Sequence, residues 1–586
     1  MNVVSRFASP APIDGQRLFV GRLSIVGWIL SLAFLTITVR LFQKSVLEHG
    51  EYVALASNQH TIRQELPSQR GLIQIHELGS DLWPLATNER RYDVSVIPNR
   101  VTDPKGLAVA LSQLLDLKAD EVYDKINTDK PYLPPLKKQV DEATITKVIA
   151  LPFKGLLATP IDARTYPEGD FASQLVGFVN YDGQGASGIE AQYEDALKGK
   201  SGTLLGKQDI FGRMVSITGQ VKPQAGSSVV LTLDHTIQFL ADRELKYAIS
   251  AYGAVGGSVI VLNPKTGALL AIANQPSFDP NHYGDVPTDQ QQRYLNDAIS
   301  TVYEPGSIMK PVVMATAIDQ GKIQPETKST FSNFVTVQGY QIHTALDKAY
   351  GEETMTQILE NSDNVGMVWV AGHLEYQALY DSFKRFGFGV PTGLDLPAET
   401  SGSILPLGDW REISRATMAF GQGISVTPLQ MAMAWQSLAN GGQLMKPYVV
   451  DKIVRSDGSV VATEPTSVRQ VVTKETADKV KIMLQSVVDN GQSKKAQIPG
   501  YAIGGKTGTA QYAKAEGGYQ EDSYNHSFIG FLPVDDPQYL VMVKLDQPTS
   551  SKYADATALP AFRAIAQGII SYKGLSPSRP PTAPKI

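Results

Sequence analysis

From Leu23 to Val39 the chain carries no charged side chain; Arg22 and Arg40 close the run, and Leu18 to Val20 and Leu41–Phe42 lengthen it. An apolar stretch of this length with no polar face at helical spacing predicts a membrane-crossing helix over 23–42 rather than a core helix. It is longer than the apolar region of a cleaved leader, and no small-x-small site follows. Arg6, Arg17 and Arg22 precede it against Asp14, and Glu48 and Glu51 follow. That bias places residues 1–22 in the cytoplasm and everything after about 43 outside, a single-pass signal anchor.

Residues 43–225 mix periods. YDVSVIP (Tyr92 to Pro98) reads as a strand and GLAVALSQLLDL (Gly106 to Leu117) as a helix, which predicts an α+β region. The pattern sharpens near 226. SSVVLTLD reads as a strand, HTIQFLADRELKYAISAYG as an amphipathic helix ending at Gly253, and GGSVIVLNPKTGALLAIAN as two apolar strands joined by a turn at Asn263 to Gly267. The expected organisation is thus a tail (1–22), an anchor (23–42), an α+β pedestal (43–225), a second α+β domain (226–575) and a Pro-rich tail (576–586). In that last tail the prolines remove donors and prevent regular packing.

A length of 586 residues supports several domains, and 42% hydrophobic with 19% charged residues excludes wholesale disorder. Fifty-three basic against 58 acidic residues, with no long Lys/Arg run, argues against a nucleic-acid partner. The absence of cysteine removes disulfides, thiolate metal sites and a thiol nucleophile, so covalent chemistry must use another side chain.

Three short patterns compete for the chemistry. Gly183 to Gly188 fits GxGxxG, but the Gly-rich KGKSGTLLGK that follows cannot close a βαβ unit. Gly500 to Thr507 fits a phosphate loop, yet no apolar strand launches it and Gly508 interrupts the helix that should follow. The third candidate is an ordered set. Ser307 and Lys310 stand at i and i+3 near the start of a predicted helix running to Ile318, where a neutral amine can take the serine proton. Ser362-Asp363-Asn364 falls in a predicted turn between helices, offering a hydroxyl that can relay a proton and a carboxamide that can hold a substrate amide. Lys506-Thr507-Gly508-Thr509, after two glycines, reads as a strand that presents a cation, two hydroxyls and backbone N–H groups. Each element alone has decoys: Ser523-Tyr524-Asn525 repeats the second, and Lys265-Thr266-Gly267 repeats the third at a plain turn.

In the order SxxK, SxN, KTG the set resembles the class B penicillin-binding proteins, peptidoglycan D,D-transpeptidases, and the septal cell-division type more than the elongation type. SFDPN from Ser277, YEPGS from Tyr303, FGQGISVTPLQ from Phe420 and HSFIGFLPVDDP from His526 carry the resemblance through the second domain. Arg70-Gly71, RTYPEG from Arg164 and Gly188-Ile189-Glu190 carry it through the pedestal, where they absorb the GxGxxG match. The chain departs from the family at IQIHELGSD after Arg70-Gly71, and at Ile308-Met309 after the serine.

The resemblance implies an α+β multidomain chain with a transmembrane helix, a dimerisation-type pedestal and a penicillin-binding, serine β-lactamase-like domain of antiparallel sheet, flanking helices and a helical subdomain. It implies catalytic roles for Ser307, Lys310, Ser362 and Lys506, and substrate contacts from Asn364, Thr507, Gly508 and Thr509. No metal or cofactor is called for. Implied partners are stem peptides, β-lactams, a membrane glycan polymerase and other division proteins, and homodimerisation stays open. So do an elongation-type role, a D,D-carboxypeptidase, in which water takes the acyl group, and a β-lactam sensor or division scaffold. A bacterial inner-membrane location follows from the same resemblance.

Overall fold

The computed structural model describes residues 15–53, 61–79, 81–130, 133–208, 214–345, 347–513 and 518–579. Arg6 and Asp14 of the charge bias, and residues 580–586 of the expected tail, lie outside them. The chain falls into two compact units, one formed by residues up to 68 with 200–224, the other by 69–199 with 225–586.

In the first unit an α-helix runs Gly15–Phe42, starting earlier than the charge-free stretch alone predicts because Leu18 to Val20 extend the apolar run. Among the described residues, Val20–Leu47 is the one helical stretch long and apolar enough to cross a membrane. Its large side chains, such as Trp28 and Phe34, face outward without protein cover. Such exposure is stable only in an apolar surround. The unit also holds a three-stranded antiparallel sheet in the order Thr61–Leu66, Gly202–Gln208, Met214–Val221.

The second unit is organised by a five-stranded antiparallel sheet in the order Leu269–Gln275, Gly256–Leu262, Tyr539–Asp546, Tyr519–Leu532, Gly504–Ala513. The pleat sends alternate residues to two cores. Val259 and Val261 pack with Leu245, Phe562 and Ile565 under helices His235–Tyr252 and Ala558–Lys573. Ile260 and Leu262 face the other core, with Val313, Trp435 and Phe531. This explains why Gly256–Leu262 reads as a continuous apolar run: every residue of it is buried. The helix predicted to end at Gly253 does so, with Asp234 capping the Ile237 N–H at 3.1 Å and Gly253 in the left-handed region.

A seven-stranded sheet spans position 226, where the pattern changes: Ile73–His76 runs parallel beside Ser228–Asp234 and antiparallel beside Leu82–Val96. The three pedestal motifs meet at this sheet. Glu190 is fully buried and accepts from Arg70 Nε at 2.7 Å and from Arg164 Nε at 2.6 Å. Arg164 also donates to the Gly71 carbonyl at 2.8 Å. The GxGxxG segment is a turn closed by a Val179–Gly185 bridge and leads into the short helix Gly188–Gln192. A Cβ at Gly185 would lie 2.0 Å from the Glu190 carbonyl, so its glycine serves close packing. In the C-terminal segment, Arg579 forms a two-pronged pair with Asp489 at 2.9 and 2.6 Å, an anchoring that the proline content does not reveal.

Candidate active site

Sheet order puts Gly504–Ala513 at an edge, with Tyr519–Leu532 as its one neighbour, so the KTG segment presents a free side. This strand, not a helix, follows Gly500 to Gly505, and the phosphate-loop pattern loses its required context. Gly504 and Gly505 lie against the rings of Phe531 and Phe528, which a Cβ would meet at 2.6 and 2.7 Å. At Gly508 a Cβ would stand 2.4 Å from Ser527 Oγ and 3.0 Å from the Pro305 carbonyl. That glycine is the condition for the strand to pass close to the serine turn.

Ser307 lies in a 3-10 turn, Gly306–Met309, and the α-helix Lys310–Asp319 begins at the lysine. The sequence predicts one helix through both. Gly306 takes a positive φ of 60°, and Pro311 in the first α-helical turn has no N–H to donate, so the opening turn winds tighter. Residues i and i+3 eclipse in a 3-10 turn, so Ser307 and Lys310 keep a common face. Gly306 N–H donates to the Gly421 carbonyl at 3.1 Å, and a Cβ at Gly421 would come within 2.2 Å of the Gly306 carbonyl. The YEPGS and FGQG segments are therefore two sides of one contact.

Lys310 is fully buried; its Nζ donates to the Ser362 carbonyl at 2.6 Å and Asn364 Oδ1 at 2.7 Å and stands 3.2 Å from Ser362 Oγ. Ser362 Oγ in turn stands 3.1 Å from Ser307 Oγ. The hydroxyl of Ser362 thus bridges the lysine and the half-buried serine, the geometry that the relay expected of this turn requires. Ser362 adopts a left-handed φ of 54°, which aims both its carbonyl and its hydroxyl at Lys310. Asn364 opens the helix Asn364–Gly372, donates to the His343 carbonyl at 3.0 Å and keeps a second amide hydrogen for a ligand. Lys506 is buried as well, its Nζ within 3.3 Å of Thr507 Oγ1. Burial first, then the nearby charge of Lys506, holds the Lys310 amine well below the ordinary lysine range, against the opposing pull of Asp363 and Glu353. Burial pushes Lys506 down to about 7.

Ser307, Ser362, Asn364, Thr507 and Thr509 line one cavity of about 710 Å³, of a size that suits a small organic or peptide ligand. Lys310 and Lys506 contact lining residues of this cavity, Ser362 and Asn364 for the first and Thr507 for the second.

Two residues position the site in ways motif reading does not show: Trp435 lies outside every motif, and His526 opens the HSFIGFLPVDDP segment, whose pattern does not reveal its role. Trp435 Nε1 donates to the Ile308 carbonyl at 2.9 Å from the buried helix Pro428–Ala439, fixing the serine turn from behind. Its only sequence signal is its place after FGQGISVTPLQ. Trp435→Phe strands that carbonyl and is expected to cost about 1–3 kcal/mol in a denaturant titration, with slower acylation. His526 sits opposite Thr509 in the sheet register, and its ring nitrogens meet Thr557 Oγ1 at 2.8 Å and the Lys552 carbonyl at 3.2 Å. It thereby anchors the segment whose Ala554 N–H reaches Thr509 Oγ1 at 3.3 Å, and burial lowers it to about 4, leaving it uncharged at neutral pH.

Residues 257–567 match the penicillin binding protein transpeptidase domain, and residues 65–231 match the penicillin-binding protein dimerisation domain. The chain is 31% identical to Stage V sporulation protein D of Bacillus subtilis, over 94% of this chain and 85% of the relative. It is 30% identical to the peptidoglycan D,D-transpeptidase FtsI of Escherichia coli, over 95% and 92%. The crystal structure of penicillin binding protein 3 from Mycobacterium tuberculosis complexed with ampicillin superposes with a TM-score of 0.69 at 28% identity, covering 89% of this chain and 99% of that one. With both domains matched and the serine, SxN and KTG segments lining one cavity, the chain belongs to the class B penicillin-binding proteins, serine-type enzymes of the D,D-transpeptidase family.

Proposed function

We propose that the protein cross-links peptidoglycan stem peptides in septal wall synthesis, anchored by one helix in the bacterial inner membrane with the bulk of the chain outside. The observation that carries the chemistry is the chain of contacts Ser307–Ser362–Lys310. Ser307 Oγ attacks the carbonyl between the two terminal D-alanines while its proton passes through the Ser362 hydroxyl to neutral Lys310. The carbon–nitrogen bond breaks, the same relay returns the proton to the departing amine of D-Ala, and an ester to Ser307 remains. An amine from a neighbouring stem peptide then attacks the ester, forming the cross-link and releasing Ser307. The N–H groups of Ser307 and Thr509 would hold the oxyanion. Thr507, Thr509 and charged Lys506 would receive the donor carboxylate beside Gly508, and Asn364 the donor amide. β-Lactams would acylate Ser307 by the same route, which the ampicillin-bound relative supports.

A test supplies the full chain with a D-Ala-D-Ala donor and an amine acceptor. Cross-linked product with D-Ala is expected; D-Ala alone would assign a carboxypeptidase. The septal role rests on the FtsI likeness and on HSFIGFLP after the KTG strand. Depletion should then give filaments, and rounded cells would assign lateral-wall growth.

The two lysines set opposite pH limbs. Acylation by a penicillin should rise with pH as Lys310 loses its proton, because only the free amine accepts one. It should fall above about pH 7, where Lys506 loses the charge that holds a carboxylate. A rate still climbing at about pH 9 would remove Lys506 from carboxylate recognition.

A further inference from the structure

Behind the Ser362–Asn364 turn lie two carboxyl groups that the acyl-transfer scheme does not use. Glu353, on the strand Gly351–Thr354, is 2% exposed, and Asp363 is fully buried. Each has one oxygen satisfied: Glu353 Oε1 accepts from Asn361 Nδ2 at 2.7 Å, and Asp363 Oδ1 accepts from the Val365 N–H at 2.8 Å, capping the Asn364 helix. The other two, Glu353 Oε2 and Asp363 Oδ2, are buried without a donor, and the two side chains lie within hydrogen-bonding reach of each other. Two buried acceptors that face one another can both be satisfied by a single proton between them.

We propose that Glu353 and Asp363 share one proton at neutral pH and that Glu353 is a positioning residue, keeping Lys310 uncharged and the Ser362–Asn364 turn in its acylating geometry. With the proton, the pair presents one negative charge to Lys310; without it, two. A second charge would draw a proton onto Lys310 and disable it as a base, and repulsion would push Asp363 off its helix cap. The groups facing the pair are Lys310 from the serine helix, with Lys506 beyond it, Glu360 from the helix Met355–Glu360, and Tyr350 ahead of the strand. Burial first, then the facing Asp363 carboxyl and the Glu360 charge, push Glu353 up to about 7, against the hydrogen bond from Asn361. The shared proton is therefore lost as pH rises through neutrality. The kinetic part rests on the acyl-enzyme reading above.

The test compares the full chain with Glu353→Gln, whose amide donates permanently to Asp363 Oδ2 and holds the pair at one charge. Glu353→Gln should acylate with a fluorescent penicillin within about threefold of the parent at neutral pH, and the ratio of variant to parent rate should rise at least severalfold in alkali. Lys506 titrates in both proteins and cancels in that ratio. Infrared difference spectra across the same pH range should show the carbonyl stretch of a protonated carboxyl in the parent, lost with rising pH and missing from both Glu353→Gln and Asp363→Asn. Absence of that band from the parent overturns the shared proton. A band with a pH-independent rate ratio overturns the positioning role. Failure of every protein to form an adduct would instead overturn the acyl-enzyme reading, while the infrared result still decides the proton.

Discussion

Ser307→Ala is expected to form no covalent adduct with a fluorescent penicillin, and its turnover of a D-Ala-D-Ala donor should fall about a million-fold, the order found when an acyl-transfer serine is removed elsewhere. The expectation follows from what else could attack. There is no cysteine. Ser362 Oγ is a neighbouring hydroxyl, 3.1 Å away, and it is already held 3.2 Å from Lys310 Nζ. Lys310→Met should be gentler, slowing acylation about 10²–10⁴-fold, because it removes the proton acceptor and leaves the nucleophile and cavity in place. Mass spectrometry of the adduct separates the two variants. An adduct formed by Ser307→Ala at the parental rate would move the nucleophile to another side chain and sink the assignment.

Glu190→Ala is expected to destabilise the second unit by about 3–5 kcal/mol, the cost of stranding buried charge. Arg70 and Arg164 converge on Glu190 with side-chain exposures of 10% and 4%, so removal of the carboxylate leaves two guanidinium groups with little access to water. Arg70 keeps a second partner, Glu194, at 2.6 Å, whereas Arg164 keeps only neutral acceptors, the Gly71 carbonyl and Asn88 Oδ1. Tyr166 belongs to the same cluster: its hydroxyl is 3.3 Å from Glu190, and burial first, then the Glu190 charge, raises it well above the ordinary phenol range. Glu190→Gln should lose less, since its carbonyl oxygen still accepts a hydrogen bond. Urea titration followed by limited proteolysis near Arg70 reads both variants, and an unchanged midpoint for the alanine variant would show that the cluster contributes nothing net.

Much of the candidate site was legible before the fold. Ser307, Ser362 and Lys506 are separated by long stretches of chain, yet their order and their local contexts, a helix start, a turn and a strand, single them out from decoys such as Lys265-Thr266-Gly267, which the structure places at a strand turn. The helix over His235–Tyr252 was readable because an apolar stripe, an Asp cap and a terminal glycine agree locally. The strands flanking Asn263 to Gly267 were readable because the pleat buries both faces and the turn glycine has a positive φ.

Other features were not local. Arg70, Arg164 and Glu190 are visible as motifs, but their meeting depends on strand pairing across the second unit. Nothing near Trp435 states that its indole will reach the Ile308 carbonyl, and Glu353 has no motif at all. The serine–lysine geometry is the clearest case. SxxK spacing suggests direct transfer from Ser307 to Lys310 and the SxN hydroxyl suggests a relay, but only the fold sets Ser362 Oγ 3.2 Å from Lys310 Nζ and 3.1 Å from Ser307 Oγ.

The sequence by itself determined the long apolar helix near the N-terminus, several elements such as His235–Tyr252, and the chemical inventory, because hydrophobic period, caps and residue type are properties of short stretches. Only the tertiary structure decided which groups lose water, which carboxyls face each other and which hydroxyl stands between serine and lysine. Desolvation and hydrogen-bond geometry arise when distant segments close around the same few atoms.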